Sequence, residues 1–112
     1  MASRGEIWFC DFDPVVGHEQ AGDRPALIIS HDSLNKSAAD LVVVVPVTKV
    51  PGKVPTHVPV TAAETGLPLD STVLCEHIRT IDKARLRRKA GQMPAGKMAQ
   101  IEQIVKRVLA LP

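Results

Sequence analysis

The sequence is poor in the features that mark several large protein classes. It holds only two cysteines, Cys10 and Cys75, too few for a disulfide scaffold, so both are expected as buried thiols in a reducing compartment. No apolar run approaches the ~20 residues of a membrane-spanning helix. The opening MASRGEIWF carries neither the apolar region of a secretory signal nor an Arg/Ser-rich transit pattern, and a cytoplasmic location is expected. Gly17 and Gly22 are not followed by a helix or a lysine–serine pair, which argues against a nucleotide-binding loop, and there is no Gly-x-Ser-x-Gly elbow. Cys10, Cys75, His18 and His77 lack the paired close spacings of zinc motifs, so no metal site and no cofactor is expected.

What is present fits one folded domain spanning residues 1–112. Apolar residues make up 45% of the chain, which excludes disorder. A chain this small buries a modest fraction of its surface, so a second copy or a partner is a natural source of further core. The net charge is only +2 but unevenly spread: residues 1–40 hold seven acids and three bases, residues 82–112 two acids and eight bases. A DNA-coating protein would be far more basic, so any nucleic-acid site should be a local groove. The run KARLRRK at 83–89 reads either as solvated surface or as an electrostatic steering patch.

Residues 6–12, EIWFCDF, are rich in β-formers and end at the Asp13-Pro14 turn signal. PALIIS at 25–30 is a second short strand. LVVVVPVT at 41–48 is the strongest strand signal, because β-branched side chains suit a pleated sheet. Pro46 removes a ladder donor, so an edge or a bulge is expected there. VPTHVPV at 54–60 reads as a proline-interrupted strand. STVLCEHIRTI at 71–81 reads as one long strand with Cys75, His77 and Arg79 on one face, opposite Glu76, Ile78 and Thr80. Met98, Ile101, Val105 and Val108 then recur at helical spacing, with Pro94 suited to the start of that helix. Short strands with one terminal helix predict an α+β, mainly β, fold: a small, strongly bent antiparallel sheet or partial barrel with the helix against it.

The connection from residue 13 to 24 is about a dozen residues long where a hairpin needs ~2–5, and such loops are usually functional. It gathers Glu19, Gln20, Asp23 and Arg24 between two glycines. Local composition leaves two readings of Arg24 open: a structural ion pair with Glu19 or Asp23, or an anion-binding fork suited to phosphate.

The stretch RGEIWFCDFDPVVGHEQAGDRPALIIS at 4–30 closely resembles the opening signature of the MazF/PemK family of bacterial toxins. The resemblance runs on through VVVVPVT at 42–48, PTHVPV at 55–60, GLPLDSTVLCEHIRTIDKARL at 66–86 and the terminal helix. It implies an SH3-like small barrel of the PemK/CcdB-like kind, forming a homodimer. It implies a type II toxin that cuts single-stranded RNA at short sequences in the bacterial cytoplasm and is silenced by a cognate antitoxin. Contact with DNA would be indirect, through that antitoxin.

The family's catalytic arginine and threonine fall on Arg24 and Thr48. Its groove-lining residues fall on Glu19, Gln20 and His57, with His18 beside them, and the loop 49–57 supplies Lys49 and Lys53 for backbone contacts. Where the family commonly has glutamine before Ile-Arg-Thr, this chain has His77, so the cleavage sequence should differ if that side chain reads a base. Barrel relatives that poison gyrase depend on a C-terminal Trp-Gly-Ile end. This chain ends Leu-Ala-Leu-Pro with its single tryptophan at Trp8, which counts against that alternative. An inactive module that binds only antitoxin or RNA is the other alternative left open.

Overall fold

The structure, a computed structural model, describes residues 2–12 and 23–112. His18, Glu19, Gln20 and the Asp13-Pro14 turn signal lie outside the described residues. In chain order the elements are β1 (Glu6–Cys10), β2 (Arg24–Ile28), α1 (Asp32–Asn35), β3 (Leu41–Thr48), β4 (His57–Val60), α2 (Ala62–Thr65), β5 (Ser71–Leu74), β6 (Arg79–Asp82), a 3₁₀ turn (Lys83–Arg85), β7 (Leu86–Gln92) and α3 (Ala95–Val108).

The strands form one antiparallel sheet in the order β4-β5-β3-β2-β1-β7, with β6 added beside β3. Among the described residues the sheet stays open, with β4 and β7 at its ends, so the expected barrel is not closed. Antiparallel pairing suits chain segments joined by short connections.

β3 organises the sheet. Its apolar run is buried on both faces, as a central strand requires. Val42 and Val44 enter one cluster with Cys10, Ala26, Ile28 and Ile81. Val45 and Val47 enter the other with Ile7, Leu27 and Ile101. Residues 44–46 of β3 pair with β2, residues 47–48 with β5, and residues 41–44 with β6. Pro46 therefore sits at neither an edge nor a bulge, but where β3 exchanges one partner for another, a position at which a missing donor costs little. Pro59 obeys the edge rule directly, being exposed in the end strand β4.

Two expectations need correction, and a third gains an element. Residues 71–81 form two strands, not one: β5 and β6 lie against the same side of β3, separated by a turn at Cys75–Glu76. The strand read at 54–60 begins only at His57. KARLRRK keeps Arg87, Arg88 and Lys89 exposed, as a solvated surface requires, while it builds the 3₁₀ turn and most of β7, which pairs along β1 through two register shifts. An end strand studded with Arg87, Arg88 and Lys89 blunts edge-to-edge association.

Helix α3 begins after Pro94, whose carbonyl accepts the Met98 N–H at 2.9 Å. Its stripe buries Ile101 fully and packs Met98, Ile104 and Val105 against the first cluster, while Val108 and Leu109 stay exposed. Helix α2 is closed at both ends. Thr61 and Glu64 form a capping box, and Gly66 takes a left-handed φ of 82° as its C-cap.

Candidate functional site

Arg24 opens β2 as an exposed residue held between two fixed neighbours. It pairs with Cys10 across the β1–β2 ladder, and Pro25 pairs with Phe9. On the other side, the β2–β3 ladder ends at Ala26–Pro46, two residues short of both Arg24 and Thr48. Thr48 closes β3, paired with Thr72 of β5. Its Oγ1 accepts the Val50 N–H at 3.2 Å, which leaves the hydroxyl proton free to be donated outward. A guanidinium only donates, and a hydroxyl whose oxygen already accepts an N–H still has its proton to give, so both groups suit an anion. Of the two readings that composition left open for Arg24, the Asp23 ion pair is not the one formed: among the described residues it is Arg87 Nε that approaches the Asp23 carboxylate, at 3.8 Å.

Beyond Thr48 the chain runs through a proline- and glycine-containing loop to β4. An open groove of about 450 Å³ lies there, lined by Gly52, Lys53, Val54, Pro55, His57 and Pro59. Gly52 has a steric reason to be glycine. A Cβ at that position would come within 2.8 Å of the His57 Cβ. Lys49, expected beside Lys53, lines a separate depression with Pro68, Leu69 and Asp70.

His57 is held at both ring nitrogens. The Lys53 N–H donates to Nδ1 at 3.1 Å, so the ring proton resides on Nε2, which donates to Glu76 Oε2 at 2.7 Å. The Thr56 hydroxyl donates to the other oxygen of Glu76 at 2.9 Å. His77 Nε2 stands 3.5 Å from Glu76 Oε2, with the His77 side chain 59% exposed. Burial alone would raise the Glu76 carboxyl, but hydrogen bonds from its own backbone N–H, His57 and Thr56 outweigh it and hold the group below its ordinary 4.5.

Sequence reasoning missed Glu76 because an uninterrupted strand at 71–81 puts it on the face opposite His77. The turn at Cys75–Glu76 brings both to one place. The only signal for it was the run Cys-Glu-His-Ile, which carries no glycine or proline.

Both thiols are buried as expected. Cys10 belongs to one core cluster and Cys75 to the other, so they cannot share a metal with His77. Among the described residues no three acidic, histidine or cysteine side chains converge as a metal site would require.

The chain matches the model of the PemK-like, MazF-like toxins of type II toxin–antitoxin systems over residues 3–109. It is 38% identical over 112 residues to the endoribonuclease EndoA of Bacillus subtilis, covering 99% of this chain and 97% of that one. It is 40% identical over 111 residues to the endoribonuclease MazF9 of Mycobacterium tuberculosis, covering 95% and 94%. Its fold superposes on a MazE–MazF crystal structure from Deinococcus radiodurans with a TM-score of 0.83 at 28% identity, covering 99% of this chain and 97% of that one. The chain therefore belongs to the PemK/MazF-like toxin family of type II toxin–antitoxin systems.

Proposed function

We propose that this chain is the toxin of a type II toxin–antitoxin pair, an endoribonuclease that cuts single-stranded RNA at a short sequence and so stops translation. The observation that supports this reading is that Arg24 opens β2 and Thr48 closes β3, each two residues beyond the last pair of the ladder the two strands share. The chemistry needs no metal, because the nucleophile is the substrate's own 2′-hydroxyl. Its attack on the adjacent phosphorus forms the P–O2′ bond and breaks the P–O5′ bond, and a water bridging from Arg24 gives a proton to the departing 5′-oxygen, leaving a 2′,3′-cyclic phosphate and a 5′-hydroxyl. Arg24 stabilises the charge that gathers on the non-bridging oxygens, and Thr48 donates a hydrogen bond to one of them. Glu19 is the carboxylate nominated to take the 2′-hydroxyl proton. His57 is a poorer base, since both its nitrogens are engaged within the chain.

Single-stranded RNA would be read by His18, Glu19, Gln20 and His77, with Lys53 in the groove and Lys49 at the neighbouring depression meeting phosphates. The antitoxin would cover the same groove with an acidic, apolar tail that replaces phosphate at Arg24. The toxin would act as a homodimer in the bacterial cytoplasm, reaching DNA only through the antitoxin. No helix among the described residues is long and apolar enough to cross a membrane.

The test is incubation with a long unstructured RNA in excess chelator. Cuts at one sequence with cyclic phosphate ends support the reading, and Arg24→Ala should lower kcat about 10²- to 10³-fold, as loss of one transition-state donor does elsewhere. DNA damage through gyrase without RNA cuts would sink it.

A further inference from the structure

The basic run at residues 83–89 turns inward more than its composition implies. Arg85 clasps the end of β1 from both directions. Its backbone carbonyl accepts the Asp11 N–H at 2.9 Å. Its Nη1 donates to the Asp11 carbonyl at 3.1 Å and to the Phe12 carbonyl at 2.8 Å. Arg79, from β6, donates Nη2 to the same Phe12 carbonyl at 2.8 Å, with its guanidinium 5.2 Å from the Phe12 ring centroid. Arg87, from β7, bridges the two strands, with Nη2 3.0 Å from Asp11 Oδ2 and Nε 3.8 Å from Asp23 Oδ1. Three arginines from three elements thus converge on residues 11, 12 and 23, the two residues that follow β1 and the residue preceding Arg24.

We infer that Arg79, Arg85 and Arg87 are positioning residues that fix the strand ends from which Arg24 projects. This rests on the reading of Arg24 as catalytic. The backbone contacts carry most of the effect. A carbonyl shared by two guanidiniums fixes the chain's direction, whereas the Arg87 pairs are exposed and contribute little by themselves. Arg24 is in turn tied to this frame through its pairing with Cys10, the residue before Asp11. The rival role for the same side chains is direct attraction of RNA phosphates.

The two roles separate kinetically. Arg85→Met keeps the stem and removes the fork. If it positions Arg24, kcat falls about 10- to 100-fold, the scale set by ångström misplacement of a reacting group. KM and its salt dependence stay unchanged, and amide exchange accelerates at Cys10, Asp11, Phe12 and Arg24. Combined with Arg24→Ala, it adds no further loss, because both changes act through one group. If Arg85 instead meets phosphate, KM rises and the salt slope of binding becomes shallower by about 0.7, with exchange unaltered; that result overturns the inference. Unchanged kcat and unchanged exchange overturn it as well. Full activity in Arg24→Ala alone would instead overturn the catalytic reading, and exchange at residue 24 would then decide whether the frame exists.

Discussion

His57 and Glu76 meet at 2.7 Å, Nε2 to Oε2, and the contact joins the groove loop to the turn between β5 and β6. Two further bonds join the same segments, from the Thr56 hydroxyl to Glu76 at 2.9 Å and from the Cys75 N–H to the Thr56 carbonyl at 3.3 Å. The carboxylate is the fixed point, because Thr56 and His57 both donate to it.

That contact has a pH signature. A carboxyl held below its ordinary 4.5 in the fold stabilises the native state at pH values above 4.5, and the contribution is lost as pH falls through the lower folded value. Carbon-detected NMR titration of Glu76 should give a midpoint below 4.5. In Glu76→Gln the loss of thermal stability on acidification should be smaller than in the parent protein. A midpoint above 4.5 would contradict the described geometry.

Thr48 separates donation from packing. Thr48→Ser keeps the hydroxyl that Val50 N–H approaches, and cleavage should stay within a few-fold of the parent. Thr48→Val matches the shape without the donor and should lower kcat about 10²-fold at a nearly unchanged KM. Single-turnover cleavage of a defined RNA checks both.

Gly91 is where β7 passes the end of α2. A Cβ there would overlap the Thr65 carbonyl oxygen, a backbone atom that cannot rotate away. Gly91→Ala should therefore cost about 1–3 kcal/mol, the usual range for overpacking. Gly96→Ala is the control, because its added Cβ meets nothing within 4 Å and alanine is the better helix former. Thermal melts of the two variants should move in opposite directions.

The thiols should be silent in the fold. Burial pushes Cys10 up to about 12, with the nearby Asp23 charge adding to it, and pushes Cys75 up to about 11, with Glu76 adding. Neither should react with a thiol reagent at pH 8 until the chain unfolds, and both should react in denaturant. Their contribution to stability is fully present below the ordinary 9.0 and is lost as pH rises through the folded values.

The legible parts of the fold were those with a strong period. β3 declared itself because β-branched residues fill both of its faces, and α3 because Met98, Ile101 and Val105 repeat at helical spacing. β7 was hidden because an edge strand turns charged side chains to solvent and alternates no apolar face. The break between β5 and β6 was hidden because Cys75–Ile78 contains no turn-forming residue type, so tertiary pairing with β3 dictates it. The four-residue helices are too short to show a period, although Thr61 and Glu64 carry a readable capping box. Within the site, local chemistry left Arg24 between ion pair and phosphate fork. It took the whole-chain family likeness to single out Arg24 and Thr48 as a pair.

The β1–β7 ladder also has a bearing on how the protein is made. Cys10 pairs with Leu86, and Ile7 with Gly91, so the strand next to Arg24 finds its outer neighbour only after almost all the other elements have emerged. Closing such a distant pair is the slow, late step of assembly. The strand that carries Cys10, the ladder partner of Arg24, thus gains its outer neighbour only once β7 has been made.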